Sequence, residues 1–137
     1  MMDSTKFEGN TSHGVVVNGV ETVKFDSAYF EGNGGYNLYL RGELGYEVES
    51  AIIDACHFYG SAASGYGINI GDYTHAVKIG TNNFNNMSAA GIRIVENANQ
   101  DIVIDPSKYI DCAYPIELVG SGNPPKFTGK TPVVNQL

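Results

Sequence analysis

The chain has 137 residues, enough for one domain, and its 8 Lys and Arg against 15 Asp and Glu give a formal net charge of −7. This acidic balance argues against nucleic-acid binding, because phosphate backbones are bound by clustered Lys and Arg. A hydrophobic content of 42% excludes a disordered chain. No run of about 18 apolar residues is present, so we expect no membrane insertion.

The first predicted element contains an aromatic residue that recurs about every 25 residues along the chain. Its five copies are Phe7, Phe30, Phe58, Phe84 and Tyr109. A fixed position that returns at this period is typical of a short supersecondary unit stacked on copies of itself. The functional question therefore moves to the outer surface of a stack.

The next predicted element is a strand built on two aliphatic residues with one residue between them. The inward pairs are Val15/Val17, Leu38/Leu40, Ile68/Ile70, Ile92/Ile94 and Ile116/Leu118. Alternation with period two places one face inside and the other outside. The outward column then reads Val16, Tyr39, Asn69, Arg93 and Glu117.

A second strand follows in each repeat, again with two inward positions. These two columns are Val23/Ala51/Val77/Ile102 and Phe25/Ile53/Ile79/Ile104. The aromatic residue of the next repeat follows at a constant spacing, which predicts a third short strand at that corner. No segment has a sustained period of 3.6 residues, so helices are not expected.

This repeat of two strands and a third corner resembles the right-handed parallel β-helix of the pectate-lyase-like proteins. The resemblance covers about residues 7–119 and implies an all-β chain. We expect a single-stranded solenoid of about five coils over residues 1–119. Pro124 and Lys126 fall on inward positions of the second strand by this register, so we expect coiling to end near Val119. Residues 120–137 are then a C-terminal extended tail that serves as a cap or arm.

Three carboxylates are candidate catalytic residues, namely Asp54, Glu31 and Glu47. Hydrolysis of a glycosidic bond needs two carboxylates about 5–9.5 Å apart. Asp26, Asp54 and Asp105 share one repeat position, and Glu47 lies in the longest connection, residues 41–50. The alternative for Asp54 is that it closes a strand into a turn by binding the turn backbone.

Aromatic and polar side chains on the coil surface are candidate glycan-binding residues. One column just before the first strand contains His13, Tyr36, Tyr66, Ala90 and Tyr114, whose rings suit stacking on sugars or packing at a corner. Arg93 and Glu117 either bind a saccharide or form a surface ion pair about 4.8 Å apart. The full candidate set is Tyr36, Tyr39, Tyr46, Tyr66, Asn69, Arg93 and Glu117. The three His residues occupy different repeat positions, so neither a metal site nor a cofactor is expected.

The resemblance implies a functional class only by analogy. Proteins with such coils include bacteriophage tailspikes, polysaccharide lyases and hydrolases, and adhesins. The first residues lack the apolar segment of a signal peptide, and the chain is short with a non-repetitive tail. These features favour a phage tail spike or fibre component that recognises host surface polysaccharide, such as capsule or O-antigen.

The tailspike resemblance implies a parallel homotrimer in the virion tail, made in the host cytoplasm and assembled with other tail proteins. The first alternative is an extracellular polysaccharide lyase or glycoside hydrolase of the pectate-lyase-like group, or a fragment of one. The second alternative is a purely structural solenoid in a larger assembly. Whether the chain is an enzyme is left open by its sequence.

Overall fold

The computed structural model of the chain describes residues 5–61, 65–95, 101–120 and 124–137. These residues form short strands and no helix, so none of them could cross a membrane as a helix. In chain order the strands are β1 (Lys6–Glu8), β2 (Val15–Asn18), β3 (Thr22–Asp26), β4 (Tyr29–Glu31), β5 (Tyr36–Arg41), β6 (Ser50–Asp54), β7 (His57–Tyr59), β8 (Tyr66–Ile70), β9 (Val77–Ile79), β10 (Asn83–Asn85), β11 (Ala90–Ile94), β12 (Ile102–Ile104), β13 (Lys108–Ile110), β14 (Tyr114–Leu118), β15 (Lys126–Phe127) and β16 (Val134–Gln136).

The strands form three parallel sheets that the chain visits in turn. Sheet A has the order β1-β4-β7-β10-β13, sheet B has the order β2-β5-β8-β11-β14-β16, and sheet C has the order β3-β6-β9-β12-β15. Each sheet therefore receives one strand per coil, and each strand pairs with its equivalent in the next coil. The predicted all-β parallel solenoid is confirmed.

The register of the sheets matches the predicted columns. In sheet B, Leu38 pairs with Val15 and Ile68, and the outward Arg93 pairs with Asn69 and Glu117. Leu38 and Ile68 are fully buried. Stacking thus buries aliphatic side chains that one coil could not cover alone, and each buried Val, Leu, Ile or Phe contributes roughly 1.5–3 kcal/mol.

The five aromatic residues of sheet A form a continuous ring stack inside the solenoid. Neighbouring ring centroids from Phe30 to Tyr109 lie 4.8, 5.0 and 5.2 Å apart, with interplanar angles of 7–8°. Phe7 extends the stack at 5.0 Å from Phe30. Gly67 lies over the ring of Phe84, where an added Cβ would come within 2.6 Å of the ring. The stack therefore requires a glycine at this position.

The corners are formed by residues with a positive φ and are held by buried side-chain amides. The residue directly after a sheet A strand has a positive φ at Gly32 (61°), Asn86 (59°) and Asp111 (52°), residue types that tolerate this conformation best. Another corner is held by Asn82, which is 1% exposed. Its amide donates to the carbonyls of Ile53 and Gly80, and its oxygen accepts from a backbone N–H.

The tail continues the coil further than expected. β15 pairs with β12 and β16 pairs with β14, so the prediction that coiling ends near Val119 is wrong. The register used for that prediction was wrong by one residue. Lys126 pairs with the outward Val103, while Phe127 pairs with the inward Ile104. Proline is tolerated because Pro125, which is buried, lies just before this edge strand. The role of residues 120–137 as a cap or arm stays a prediction.

Candidate functional site

The outer face of sheet B carries most of the predicted glycan-binding side chains. Tyr39 pairs with Asn69, Asn69 with Arg93, and Arg93 with Glu117, so these residues follow one another along the stack. Although they point outward, Asn69 is only 1% and Glu117 only 5% exposed. Neighbouring side chains therefore cover this part of the sheet.

Arg93 is the centre of this cluster. Its Nη1 donates to Asn69 Oδ1 at 3.0 Å and to Tyr36 Oη at 3.4 Å. Its Nε lies 3.2 Å from Glu117 Oε2. The guanidinium also lies over the Tyr66 ring, 5.6 Å from the ring centroid. One cation thus joins four coils through hydrogen bonds, an ion pair and a cation–π contact.

The aromatic column beside Arg93 is a ladder of contacting rings. The His13 and Tyr36 rings are stacked at 5.0 Å and 6°, and Tyr36 meets Tyr66 at 5.5 Å. Tyr39 completes the group with an edge contact to Tyr36 at 5.0 Å. His13 Nδ1 accepts a hydrogen bond from the Tyr36 backbone N–H at 3.0 Å, so the proton of its neutral ring is on Nε2.

A surface cleft of about 400 Å³ opens beside this ladder. It lies where sheet A turns into sheet B and is lined by His13, Gly35, Tyr36, Gly65, Tyr66 and Ser88. Its volume is within the range of small-molecule sites, about 300–1,000 Å³. Aromatic rings and polar groups therefore line one accessible depression.

Tyr66 is held in its neutral form at the edge of the cleft. Burial raises the pKa of its phenol, and a hydrogen bond with Glu117 and the negative charge of Glu117 raise that pKa further, against the opposing charge of Arg93. The Tyr66 hydroxyl therefore keeps its proton and donates a hydrogen bond to the Glu117 carboxylate. The group contains a guanidinium and a carboxylate that compensate each other, together with phenol oxygens, so it suits sugar hydroxyls better than a strongly charged ligand.

Tyr46 lies away from this group. It is 74% exposed in the connection after β5, whereas Tyr36 begins that strand. The connection forms a small hairpin in which Glu43 and Tyr46 exchange backbone hydrogen bonds of 3.0 and 2.8 Å. The structure thus brings together six of the seven predicted glycan-binding residues and leaves Tyr46 at another corner.

The three predicted catalytic carboxylates lie at three different corners. Glu31 ends a strand of sheet A, Glu47 lies between sheets B and C, and Asp54 ends a strand of sheet C. Glu31 accepts a hydrogen bond from the Tyr29 hydroxyl at 2.9 Å, and Glu47 Oε2 lies 2.7 Å from His75 Nε2. The structure does not bring them together as a pair across one bond.

Asp54 has the structural partner that the turn interpretation expects. Its Oδ1 accepts the backbone N–H of Thr81 at 3.0 Å, one coil further along the chain. Gly80 lies so close to this carboxylate that a side chain there would collide with it. Asp54 therefore fastens the corner of its own coil to the next.

Sequence reasoning did not identify the glycines and the serine of the cleft. Gly35 and Gly65 both directly precede a tyrosine of the ladder, so the repeated Gly-Tyr pair was the available signal. Ser88 carries no such signal, because it reaches the cleft only through the stacking of coils. Across the described parts of the chain, no three His, Cys, Asp or Glu side chains are grouped so as to hold a metal ion.

Comparison with known proteins identifies the type of repeat. A family model described as a right-handed β-helix region matches residues 1–135, almost the whole chain. Searches of curated proteins and of solved structures give no match.

Proposed function

We propose, on the premise that this chain belongs to the right-handed β-helix family, that it binds polysaccharide on the outer face of sheet B. We assign it to a bacteriophage tail spike or fibre that attaches to host surface polysaccharide, such as capsule or O-antigen. In this proposal it acts in the virion tail, as a homotrimer together with other tail proteins.

The observation that carries the binding proposal is the cleft beside the tyrosine ladder. The Tyr36 and Tyr66 rings bring apolar carbon to the cleft next to hydrogen-bonding groups, and a sugar ring has an apolar face and a rim of hydroxyls. Arg93 is already fixed by its contacts with Asn69 and Glu117. A preorganised site of this kind loses little side-chain freedom when it binds a ligand.

Binding without cleavage is supported by the positions of the carboxylates. Asp54, Glu31 and Glu47 lie at separate corners, while glycosidases hold their two carboxylates about 5–9.5 Å apart. Asp54 is also engaged by the Thr81 backbone. The lyase or hydrolase alternative therefore has less support than recognition.

Two outward apolar residues support the proposal of a multimer. Val16 on sheet B is 46% exposed and Ile52 on sheet C is 38% exposed. Both lie in the middle of short strands, where polar residues are expected on a solvated face. Burial against neighbouring copies in a trimer would remove this apolar surface from water.

The binding proposal is tested with purified host capsule and O-antigen polysaccharides, using biolayer interferometry on the wild type and three variants. Tyr36→Ala and Tyr66→Ala each remove one ring of the ladder, and we expect each to weaken binding by about tenfold, since one aromatic contact contributes about 0.5–1.5 kcal/mol beyond its buried area. Tyr46→Ala is the matched control and should bind like the wild type. Thermal unfolding of each variant verifies that the coil is intact.

Two results would contradict the proposed site. Either variant binding like the wild type while folded would exclude the cleft, and loss of binding in Tyr46→Ala alone would move the site to the hairpin. Release of reducing ends or of unsaturated uronide from the same polysaccharides would instead support the depolymerase alternative.

A further inference from the structure

The aromatic stack ends at a place where the solenoid is incomplete. Sheets B and C gain β16 and β15 beyond β14 and β12. Sheet A gains no such strand among the described residues, so β13 is its last member there. The Tyr109 ring stacks on Phe84 through one face, at 5.2 Å and 7°. No described aromatic ring stacks on its other face.

The tail between β15 and β16 forms a pocket at this open position. The pocket has a volume of about 340 Å³. Its apolar wall contains Tyr109, Pro106, Phe127, Pro132 and Val133. An apolar cavity of about 150 Å³ is already large enough to bind benzene, so a substituted aromatic ring fits this volume.

We propose that this pocket binds a planar aromatic ring bearing a carboxylate, stacked on Tyr109 as the sixth member of the ring series. The internal stack sets the geometry, because its rings repeat at 4.8–5.2 Å and within 8° of parallel. A flat ring continues this arrangement, whereas a puckered aliphatic ring does not.

The charges around the pocket favour an anionic substituent. Lys130 lines the pocket and, among the described residues, forms neither an ion pair nor a side-chain hydrogen bond. The carboxylate of Asp105, also in the lining, is already bound by Lys78 at 2.9 Å and by the Thr128 hydroxyl at 2.6 Å. These contacts, the Lys78 charge among them, keep the pKa of Asp105 below its usual value. Lys130 is thus the cation left to meet a ligand carboxylate.

The test uses phenylacetate as the probe, titrated into the ¹⁵N-labelled full chain and followed by NMR. We expect saturable amide shifts in residues 107–110 and 128–133 and a dissociation constant on the order of 1–10 mM, as for a ligand of this size. Cyclohexylacetate keeps the charge but not the flat ring, and phenethylamine keeps the ring but reverses the charge. Both should bind at least about tenfold more weakly.

Two pocket variants, each with a control variant elsewhere, locate the binding to the pocket. Val133→Trp fills the space from an exposed position and should abolish the shifts, while Leu44→Trp adds the same ring at an exposed position of the hairpin and should not. Lys130→Gln should weaken phenylacetate binding about two- to fourfold, as expected for an exposed ion pair, and Lys24→Gln should leave it unchanged. Absence of saturable shifts, equal binding of cyclohexylacetate, or full binding by Val133→Trp would each overturn the proposal. The pocket shares no residue with the Tyr36 cleft, so its failure would leave the glycan proposal intact.

Discussion

Glu117 shows how stacking changes the environment of a single outward residue. On an isolated strand its carboxylate would be solvated, but here it is 5% exposed between Arg93 and the Tyr66 hydroxyl. Its charge is therefore compensated mainly by protein groups rather than by water. The candidate site depends on this carboxylate, because Glu117 forms an ion pair with Arg93 and accepts a hydrogen bond from the Tyr66 hydroxyl.

Tyr109 gives a pH-dependent prediction. Burial raises the pKa of its phenol from its ordinary value of 10.0 to about 12. The folded chain therefore keeps a proton that the unfolded chain loses between about pH 10 and 12, and the free energy of unfolding should fall across this window by up to about 1.4 kcal/mol per pH unit. Tyr109→Phe removes this component.

Urea unfolding at pH 8 and pH 11 measures the difference. We expect the wild type to lose about 1 kcal/mol more than Tyr109→Phe between the two pH values. Tyr29, whose pKa is raised to about 12 chiefly by its hydrogen bond to Glu31, is present in both proteins and cancels in the comparison. Equal losses in the two proteins would show that the Tyr109 phenol is not buried.

Individual contacts were predictable only where they lie within one column. The contact between Arg93 and Glu117 follows from their common repeat position. The contact of Arg93 with Tyr36 does not, because it joins different columns two coils apart and depends on how long side chains lean across the sheet. Asp54, Glu31 and Glu47 were proposed together as catalytic candidates, although their three different repeat positions already indicated different corners.

The ring stack of sheet A is the element on which the core depends most. Phe58 is fully buried and stacked on both faces, by Phe30 at 4.8 Å and by Phe84 at 5.0 Å. Phe7 is partly buried and stacks on Phe30 alone. A substitution in the middle of the stack should therefore cost more than the same substitution at its end.

We expect Phe58→Ala to lower the free energy of unfolding by about 3–5 kcal/mol and Phe7→Ala by about 1–2 kcal/mol. Urea denaturation monitored by circular dichroism measures both. Tyr73→Ala, at a 39% exposed position, is the control and should change stability little. Equal losses at Phe58 and Phe7 would show that the stack is not a cooperative unit of the core.

The strands of the coils were predictable because inward aliphatic residues repeat at every coil. The tail strands were not, because β15 and β16 contain few apolar residues and the connection before β15 is one residue longer than the predicted register assumed. Phe127 was the informative residue. It lies inward beside Ile104, and aligning it with the Phe25 column would have placed Lys126 outside.

At the scale of the whole molecule, the proposal requires more than one copy of the chain. A trimer has about three times the 14.7 kDa mass of one chain, and we expect light scattering after size exclusion to give this mass. Val16→Glu combined with Ile52→Glu should reduce the mass to that of one chain, because it places charges on the exposed apolar positions. Leu44→Glu, at a 79% exposed position of the hairpin, is the matched control. A wild-type monomer would overturn the trimer and weigh against the tail-spike assignment.

The hairpin after β5 also makes this solenoid a natural scaffold for grafting. Both ends of the hairpin are hydrogen-bonded to the neighbouring coil. The Gly42 N–H donates to the Asp72 carbonyl at 2.8 Å, and the Val48 N–H donates to the Tyr73 carbonyl at 3.0 Å. Between them the tip residues Leu44 and Tyr46 face solvent. The length and sequence of the tip are thus uncoupled from the register of the coils, so variation there can diversify a surface without refolding the protein beneath it.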